Sequence, residues 1–211
     1  MRDFKEYTIL DAVTPKAVTS STDATPIVVT KASHGLSTGD QVLIFGHTTN
    51  VAANGIYKVT NLTSSTFSLQ DINTGADVAG SGAGAGGTTG LFCTAPKVPL
   101  ISDFRNAEFW FSTAGTATLT VKVAGSLGKN NGDSPNFGAT ISASNPYQFV
   151  QIINLDTGTA LDGATGIVVA GTDFNKKFEV NINGLKYLTF IPVSWTQGSI
   201  TIKLMVLSNE G

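Results

Sequence analysis

Charged residues are scarce in this chain. Only 13% of its residues are Asp, Glu, Lys or Arg, about half the usual share in soluble proteins, and the net charge is −2. Nucleic acids need clustered basic residues to neutralise their phosphates, and anionic membrane surfaces also attract clustered Lys and Arg. The densest basic point is the pair Lys176-Lys177. We therefore expect neither a nucleic acid nor a membrane as a partner.

Cysteine is nearly absent as well. Cys93 has no second cysteine to pair with, which excludes an intrachain disulfide and a cysteine-based metal site. It lies in an apolar run with Leu91 and Phe92, where we expect a buried, unreactive thiol. Segment 1–6 is charged where a signal peptide is apolar. No apolar run approaches the roughly 20 residues of a membrane span. We expect a protein made in the cytoplasm without a cleaved signal.

Helical periodicity is also missing, because Gly, Pro, Thr and Asn interrupt almost every window. Hydrophobic residues make up 41% of the chain, enough for a core, and the 23 glycines with many Thr and Ser take the place of charge. Short segments alternate apolar and polar residues, which is typical of half-buried antiparallel strands. The pattern predicts an all-β fold, an antiparallel β-sandwich plus a small β-barrel domain. The predicted strands are Tyr7–Val13, Ile27–Lys31, Gln41–Phe45, Ile56–Thr60, Phe67–Gln70, Ala107–Phe111, Leu119–Val123, Gln148–Asn154, Phe178–Ile182, Lys186–Val193 and Ile200–Leu204.

Two zones of the chain differ in character. Residues 24–90 hold short strands, tight turns and both histidines, whereas residues 97–207 hold longer strands and both tryptophans. Between them, the glycine-rich tract Gly80–Gly87 predicts a flexible linker or a long loop. The spacing of its glycines formally matches a dinucleotide-binding fingerprint. The residues that follow suggest a strand instead of the helix that a pyrophosphate site requires.

The residue types that carry catalysis or bind metals form no clear constellation. His34 and His47 are the only histidines. A metal site of both with Asp40 is conceivable, but the sequence favours turn histidines that bond to backbone. The loop from Asp156 to Asp162 offers acidic oxygens for Ca²⁺ but lacks the dense ligand pattern of an EF-hand, and Asp and Gly also suit a tight turn. We predict no catalytic residue, no cofactor and no metal.

The tryptophans give the strongest hint of a binding surface. Trp110 lies between Phe109 and Phe111, and in a strand it must point to the side opposite to both. One of the two sides therefore exposes large aromatic groups, which usually marks an interface. We predict a subunit interface that includes Phe109, Trp110 and Phe111, with Trp195 as a further candidate. An alternative is a sugar-stacking platform.

Three stretches of the first zone carry a resemblance: His34–Val42, Asn54–Thr60 and Thr66–Leu69. They resemble a small β-barrel module of many phage virion proteins that is similar to a domain of ubiquitin-activating enzymes. Glycines before the first strand and the turn signal Asn54-Gly55 suit that reading. The resemblance covers about a third of the chain and implies a scaffold without catalytic residues.

The chain from Val98 onward resembles a recurring β-sandwich of phage structural proteins. Relatives of this kind often begin with a strand resembling Tyr7–Thr14, which implies that the small barrel is inserted into the sandwich. The predicted domains are an N-terminal arm or strand at 1–20, the small module at 21–90 and a β-sandwich oligomerisation domain at 91–211. The matching stretches are Asp103–Arg105, Ala114–Lys122, Asp162–Gly166, Ala170–Asp173 and Phe178–Lys186.

The composition and the resemblance favour a non-enzymatic structural protein of a tailed-bacteriophage virion. We predict a capsid decoration or cement protein that stabilises the shell through many weak contacts. Its partners would be further copies of itself, as a homotrimer, and the major capsid protein or other virion proteins. The alternative is a tail, collar or baseplate protein whose small barrel binds a host glycan. A hydrolase that uses His34 or His47 in a pocket is a third possibility.

Overall fold

A computed structural model describes residues 4–72, 74–82, 90–96, 99–102, 104–126 and 147–207. Residues 83–87 of the predicted glycine-rich tract lie outside these ranges. The described residues contain strands, one 3₁₀ turn at Val51–Ala53 and no α-helix. The strands are β1 (Phe4–Val13), β2 (Lys16–Ala17), β3 (Ser20–Ser21), β4 (Val28–Thr30), β5 (Gln41–Phe45), β6 (Gly55–Thr63), β7 (Thr66–Gln70), β8 (Leu91–Thr94), β9 (Asn106–Ser126), β10 (Tyr147–Phe149), β11 (Gln151–Asn154), β12 (Ala160–Asp162), β13 (Ile167–Thr172), β14 (Asn175–Asn181) and β15 (Tyr187–Leu207).

By its contacts, the chain divides into two compact units. Among the described residues, the large unit comprises 4–14, 96–126 and 147–207, and the small unit comprises 15–95. In the large unit the strand order is β1-β15-β9-β14-β11-β12, and β10 and β13 pair with the second half of β9. The first strand therefore pairs with the last, with Leu10 opposite Ile202. The assignment of the two parts as an oligomerisation domain and an inserted module stays a prediction.

The large unit is organised around β9 and β15, which run antiparallel to each other along 21 residues each. The ribbon bends near its middle, where Gly115 and Gly198 have positive φ angles and the register shifts between Pro192 and Ser199. Gly198 is required there, because its φ is +88° and a Cβ atom would lie 2.6 Å from the Cβ atom of Ala117.

The bent ribbon folds over to form the two layers of a sandwich. Phe109 belongs to the first half of β9, whereas Phe190 pairs with Val123 in the second half. Their ring centroids nevertheless lie only 4.9 Å apart, so the two halves face each other across the core. Phe178, on the neighbouring strand β14, stacks on Phe109 with the two ring centroids 5.2 Å apart. All three phenylalanines are fully buried, and the burial of their large apolar area stabilises the unit.

The small unit is a single sheet in the order β2-β8-β5-β6-β7-β4-β3. Its two edges meet the same segment, 16–21. The first half of that segment pairs with β8 and its second half pairs with β4, and Val18 N and Thr19 N donate to Gly90 O and Thr30 O. The sheet thus curls around one core without closing into a barrel. That core consists of Val18, Ile27, Val29, Val42, Ile44, Ala53, Val59, Phe67, Leu69 and Phe92.

The predicted fold class, all-β with antiparallel sheets in a β-sandwich, is confirmed. The small sheet is not a closed barrel. Its expected turn at Asn54-Gly55 lies instead at Val51–Ala53, and Asn54 is extended. No helix with the length and apolarity of a membrane span occurs among the residues that the structure describes.

Candidate interaction surfaces

Of the predicted interface residues, only Trp110 lies on the surface. Phe109 and Phe111 are 1% and 0% exposed, whereas Trp110 is 47% exposed, as strand alternation requires. Trp195 is also buried, and its indole N–H donates to Gly198 O at 2.9 Å. Phe109, Phe111 and Trp195 therefore serve the core of the large unit. An interface role for Trp110 stays a prediction.

Trp110 is held in place by its neighbours on β14. Its indole N–H donates to the side-chain oxygen of Asn175, and the ammonium of Lys177 lies 4.8 Å from the ring centroid, within the range of a cation–π contact. On the strand that flanks β9 opposite to β14, which is β15, Lys203 is the cross-strand neighbour of Trp110. A groove of about 240 Å³ opens beside the ring. The polar and flexible side chains around it are Glu6, Glu108, Lys177, Lys203 and Met205.

The strand register sorts the charges around Trp110 into two rows that cross the strands. We call Lys203, Trp110 and Lys177, which are cross-strand neighbours, the basic row. The acidic row lies two residues further along each strand on the same side of the sheet. It consists of Glu6, Met205, Glu108 and Glu179.

The acidic row places two glutamates on facing positions of neighbouring strands. Glu108 and Glu179 lie directly opposite each other on neighbouring strands, an arrangement that destabilises a sheet. The ion pairs within the described ranges are Lys203–Glu6 at 3.5 Å and Lys176–Asp156 at 2.7 Å. Neither of the two facing carboxylates therefore has a cationic partner in this part of the chain.

The other half of the sandwich has a contrasting outer side, which we call the neutral face. It is built by the second half of β9, by β13 and by the first half of β15. These strand segments contain no carboxylate, and Lys122 is their only cation. Val168 is 62% exposed in the middle of this surface. The outward positions are Thr116, Thr118, Thr120, Lys122, Val168, Ala170, Ser194 and Gln197.

His34 has the structural role that the sequence favours. Its Nδ1 accepts the N–H of Leu36 at 3.0 Å, so the proton of the neutral ring is on Nε2, which donates to Thr63 O at 2.8 Å. The carboxylate of Asp40 accepts from Ser37 N at 2.9 Å. The prediction of a turn histidine bonded to backbone is confirmed for His34, whereas the ring of His47 makes no such bond within the described residues.

The ring of His47 is buried in the small unit. The residue is 4% exposed, and neither ring nitrogen has a hydrogen-bond partner among the described residues. Burial lowers the pKa of His47 below its ordinary value. Gly90 contacts the ring so closely that a Cβ atom there would lie 2.3 Å from Cδ2. The backbone of His47 is fixed by Asn54, whose side chain accepts from His47 N at 2.9 Å and donates to His47 O at 2.8 Å.

The remaining candidate residues are occupied by local structure. The carboxylate of Asp156 pairs with Lys176, and that of Asp162 accepts from Ala164 N at 2.8 Å. Asp156 lies in a turn and Asp162 directly precedes one, in line with the turn alternative, whereas Lys176 belongs to β14. Cys93 is buried, and burial raises the pKa of its thiol to about 12.

Sequence reasoning missed both the charge rows and the neutral face. The residues of each row come from three or four strands, and their adjacency depends on register, which no single stretch encodes. A local signal existed for part of the neutral face, since Ile167, Val168 and Val169 form a short apolar run of the kind found in strands.

No family model and no curated protein matches the chain. Among solved structures, the chain is similar to the SPBc2 prophage-derived protein YomS, at 11% identity and a TM-score of 0.43, with 99% of this chain and 96% of that chain covered. The PBSX exported protein XepA is similar at 9% identity and a TM-score of 0.37, with coverage of 99% and 86%. The K1 cleaved adhesin domain of Lys-gingipain from Porphyromonas gingivalis W83 is similar at 13% identity and a TM-score of 0.32, with coverage of 100% and 99%. Similarities this distant assign neither a family nor a function.

Proposed function

We propose that this chain is a non-enzymatic structural protein of a tailed-bacteriophage particle, a decoration subunit that reinforces the capsid through contacts with copies of itself and with the shell. The observation that carries the proposal is the neutral face. The resemblance of the sequence to phage structural β-sandwiches points in the same direction.

The neutral face is suited to being covered by another protein. Hydroxyl groups cost much less to desolvate than ammonium or carboxylate groups, and the outward residues of this face are mainly Thr, Ser, Ala and Val. An exposed valine such as Val168 adds apolar area that burial would remove from water. A sheet side with no carboxylate and a single cation, Lys122, fits the trimer contact that a decoration subunit at a threefold capsid position needs.

The test combines oligomer mass with particle binding. Multi-angle light scattering of the purified protein should give a trimer, and the protein should sediment with empty capsids of the phage that encodes it rather than with isolated tails. Introducing an ammonium group by Val168→Lys or Thr118→Lys should abolish the trimer. The matched control is Thr19→Lys, an exposed threonine of the small unit, which should leave it intact. A monomer that binds no capsid would refute the proposal.

A second candidate function is a tail, collar or baseplate protein that binds a host glycan. The observation that favours it is the groove beside Trp110, because an exposed indole with carboxylate and amine neighbours can stack on and bond to a sugar. This groove lies on the large unit, not on the small sheet that the sequence suggested. Glycan-array binding of the natural protein and of Trp110→Ala tests this alternative. Only binding that is lost when the indole of Trp110 is removed supports it.

A further inference from the structure

We propose that the surface around Trp110 binds the same surface of a second copy, with a twofold axis between the basic row and the acidic row. This contact uses the side of the sandwich that carries the charges and is independent of the role proposed for the neutral face.

The charges of this surface complement each other after a twofold rotation. The two rows lie side by side, each perpendicular to the strands. Rotation by half a turn about an axis that runs between them, in the plane of the contact, places the basic row of each copy over the acidic row of the other. Such an isologous contact repeats every interaction twice.

The register names the pairs that meet. Lys177 comes to lie over Glu179 of the partner subunit, and Trp110 comes to lie over Glu108 of the partner subunit. Lys203 meets the partner's Met205, close to the partner's Glu6. The strands of the two sheets then run antiparallel and aligned, which is a common mode of sheet-on-sheet association.

The two facing glutamates of one chain favour a second copy of the chain as the partner. The facing carboxylates of Glu108 and Glu179 have no cation within the described part of their own chain, and a second copy supplies the ammonium of Lys177 to both. In a single chain that ammonium lies over the ring of Trp110, so a sugar that stacks on the ring must first displace it. A second copy requires no such displacement, because its carboxylates can contact the Lys177 ammonium in its position over the ring.

The size of the surface predicts a weak dimer. The surface spans four strands about 4.8 Å apart and about seven residues along each strand, with a rise of about 3.4 Å per residue. Its dimensions are therefore roughly 19 by 24 Å, or about 450 Å² per copy. This lies at the low end of specific interfaces. We therefore expect dissociation constants of about 10 µM to 1 mM and strong salt dependence, because the pairs are close to solvent.

The experiment is sedimentation velocity from about 10 µM to about 1 mM protein, at about 20 mM and about 500 mM NaCl. To isolate this contact, it uses a chain in which Val168→Lys removes association through the neutral face. Low salt should give a monomer–dimer equilibrium that weakens at high salt. Lys177→Glu and Glu179→Lys should each weaken the dimer about tenfold or more, because like charges then face each other.

The charge swap gives the decisive comparison. Combining Lys177→Glu with Glu179→Lys restores opposite charges across the twofold axis and should bring the dissociation constant back to within about threefold of the parent. Lys58→Glu, at an exposed lysine of the small unit, matches the charge change of Lys177→Glu and should have no effect. The proposal is overturned if the parent chain stays monomeric, if the swap fails to restore association, or if Lys58→Glu weakens it equally. Sugar binding that depends on Trp110 in a monomeric chain would also overturn it.

Discussion

The ring of His47 provides a direct test of how this protein responds to acid. Its two nitrogens are buried in the small unit without hydrogen-bond partners in the described residues. An unsatisfied buried donor or acceptor costs about 1–3 kcal/mol. Replacing the ring by a side chain of similar size without polar atoms, as in His47→Leu, should therefore raise the free energy of unfolding by about 1–2 kcal/mol near pH 8.

The pH dependence has a defined sign. In the unfolded chain the pKa of His47 is near 6.5, and burial lowers it in the folded protein. Between these two values the unfolded chain binds a proton that the folded chain does not. Protonation of His47 therefore costs the folded protein no stability above about pH 6.5, and the free energy of unfolding decreases as the pH falls from there toward the folded pKa. The loss approaches about 1.4 kcal/mol per pH unit.

Urea unfolding between about pH 8 and pH 5 measures this effect. The natural protein and His47→Leu share every other titrating group, so the difference between their unfolding free energies isolates His47. That difference should grow in favour of the variant as the pH falls below about 6.5. Parallel curves over the whole range would show that the ring is not held neutral by burial, and the reasoning would fail.

Three further outcomes follow from local geometry. Gly198→Ala should lower the free energy of unfolding, measured in urea, by about 2–4 kcal/mol, because of its positive φ and the clash of the new Cβ atom. Gly115→Ala, with a positive φ but open space around it, should lower it by only about 1 kcal/mol. Equal losses of stability in the two variants would contradict the packing argument. Asn54→Ala removes both bonds to the backbone of His47 and should destabilise the protein by about 2–4 kcal/mol in the same assay, and a loss below about 0.5 kcal/mol would show that water replaces the amide. Cys93 should not react with a thiol reagent at pH 8 until denaturant is added; rapid labelling of the folded protein would show that it is accessible.

The strands of this fold could largely be predicted, but their lengths could not. Alternation located Gln41–Phe45 to the residue. In β9 and β15, however, two predicted strands merge into one, because Gly115 and Gly198 bend the chain without ending the ladder. A glycine between two alternating segments reads as a break, and only the partner strand decides whether hydrogen bonding continues.

The candidate surfaces were less predictable than the fold. Alternation alone indicated that Trp110 and Phe109 point to opposite sides of their strand, but it could not say which one is buried. The burial of Trp195 depends on the fold-over of the ribbon, and the rows around Trp110 depend on pairing between residues as far apart as Glu6 and Met205. Contacts over such separations lie beyond any local pattern.

The pairing of β1 with β15 also bears on the order in which the chain acquires its structure. The ladder between β1 and β15 joins residues as far apart as Phe4 and Leu207, so during synthesis β1 cannot form this ladder until β15 has left the ribosome. The described strands of the small unit, β2 to β8, all lie within residues 15–95, so they can pair before β15 is synthesised. The chain between β1 and β15 then already contains a folded unit, which shortens its flexible part and lowers the entropy lost when β1 pairs with β15.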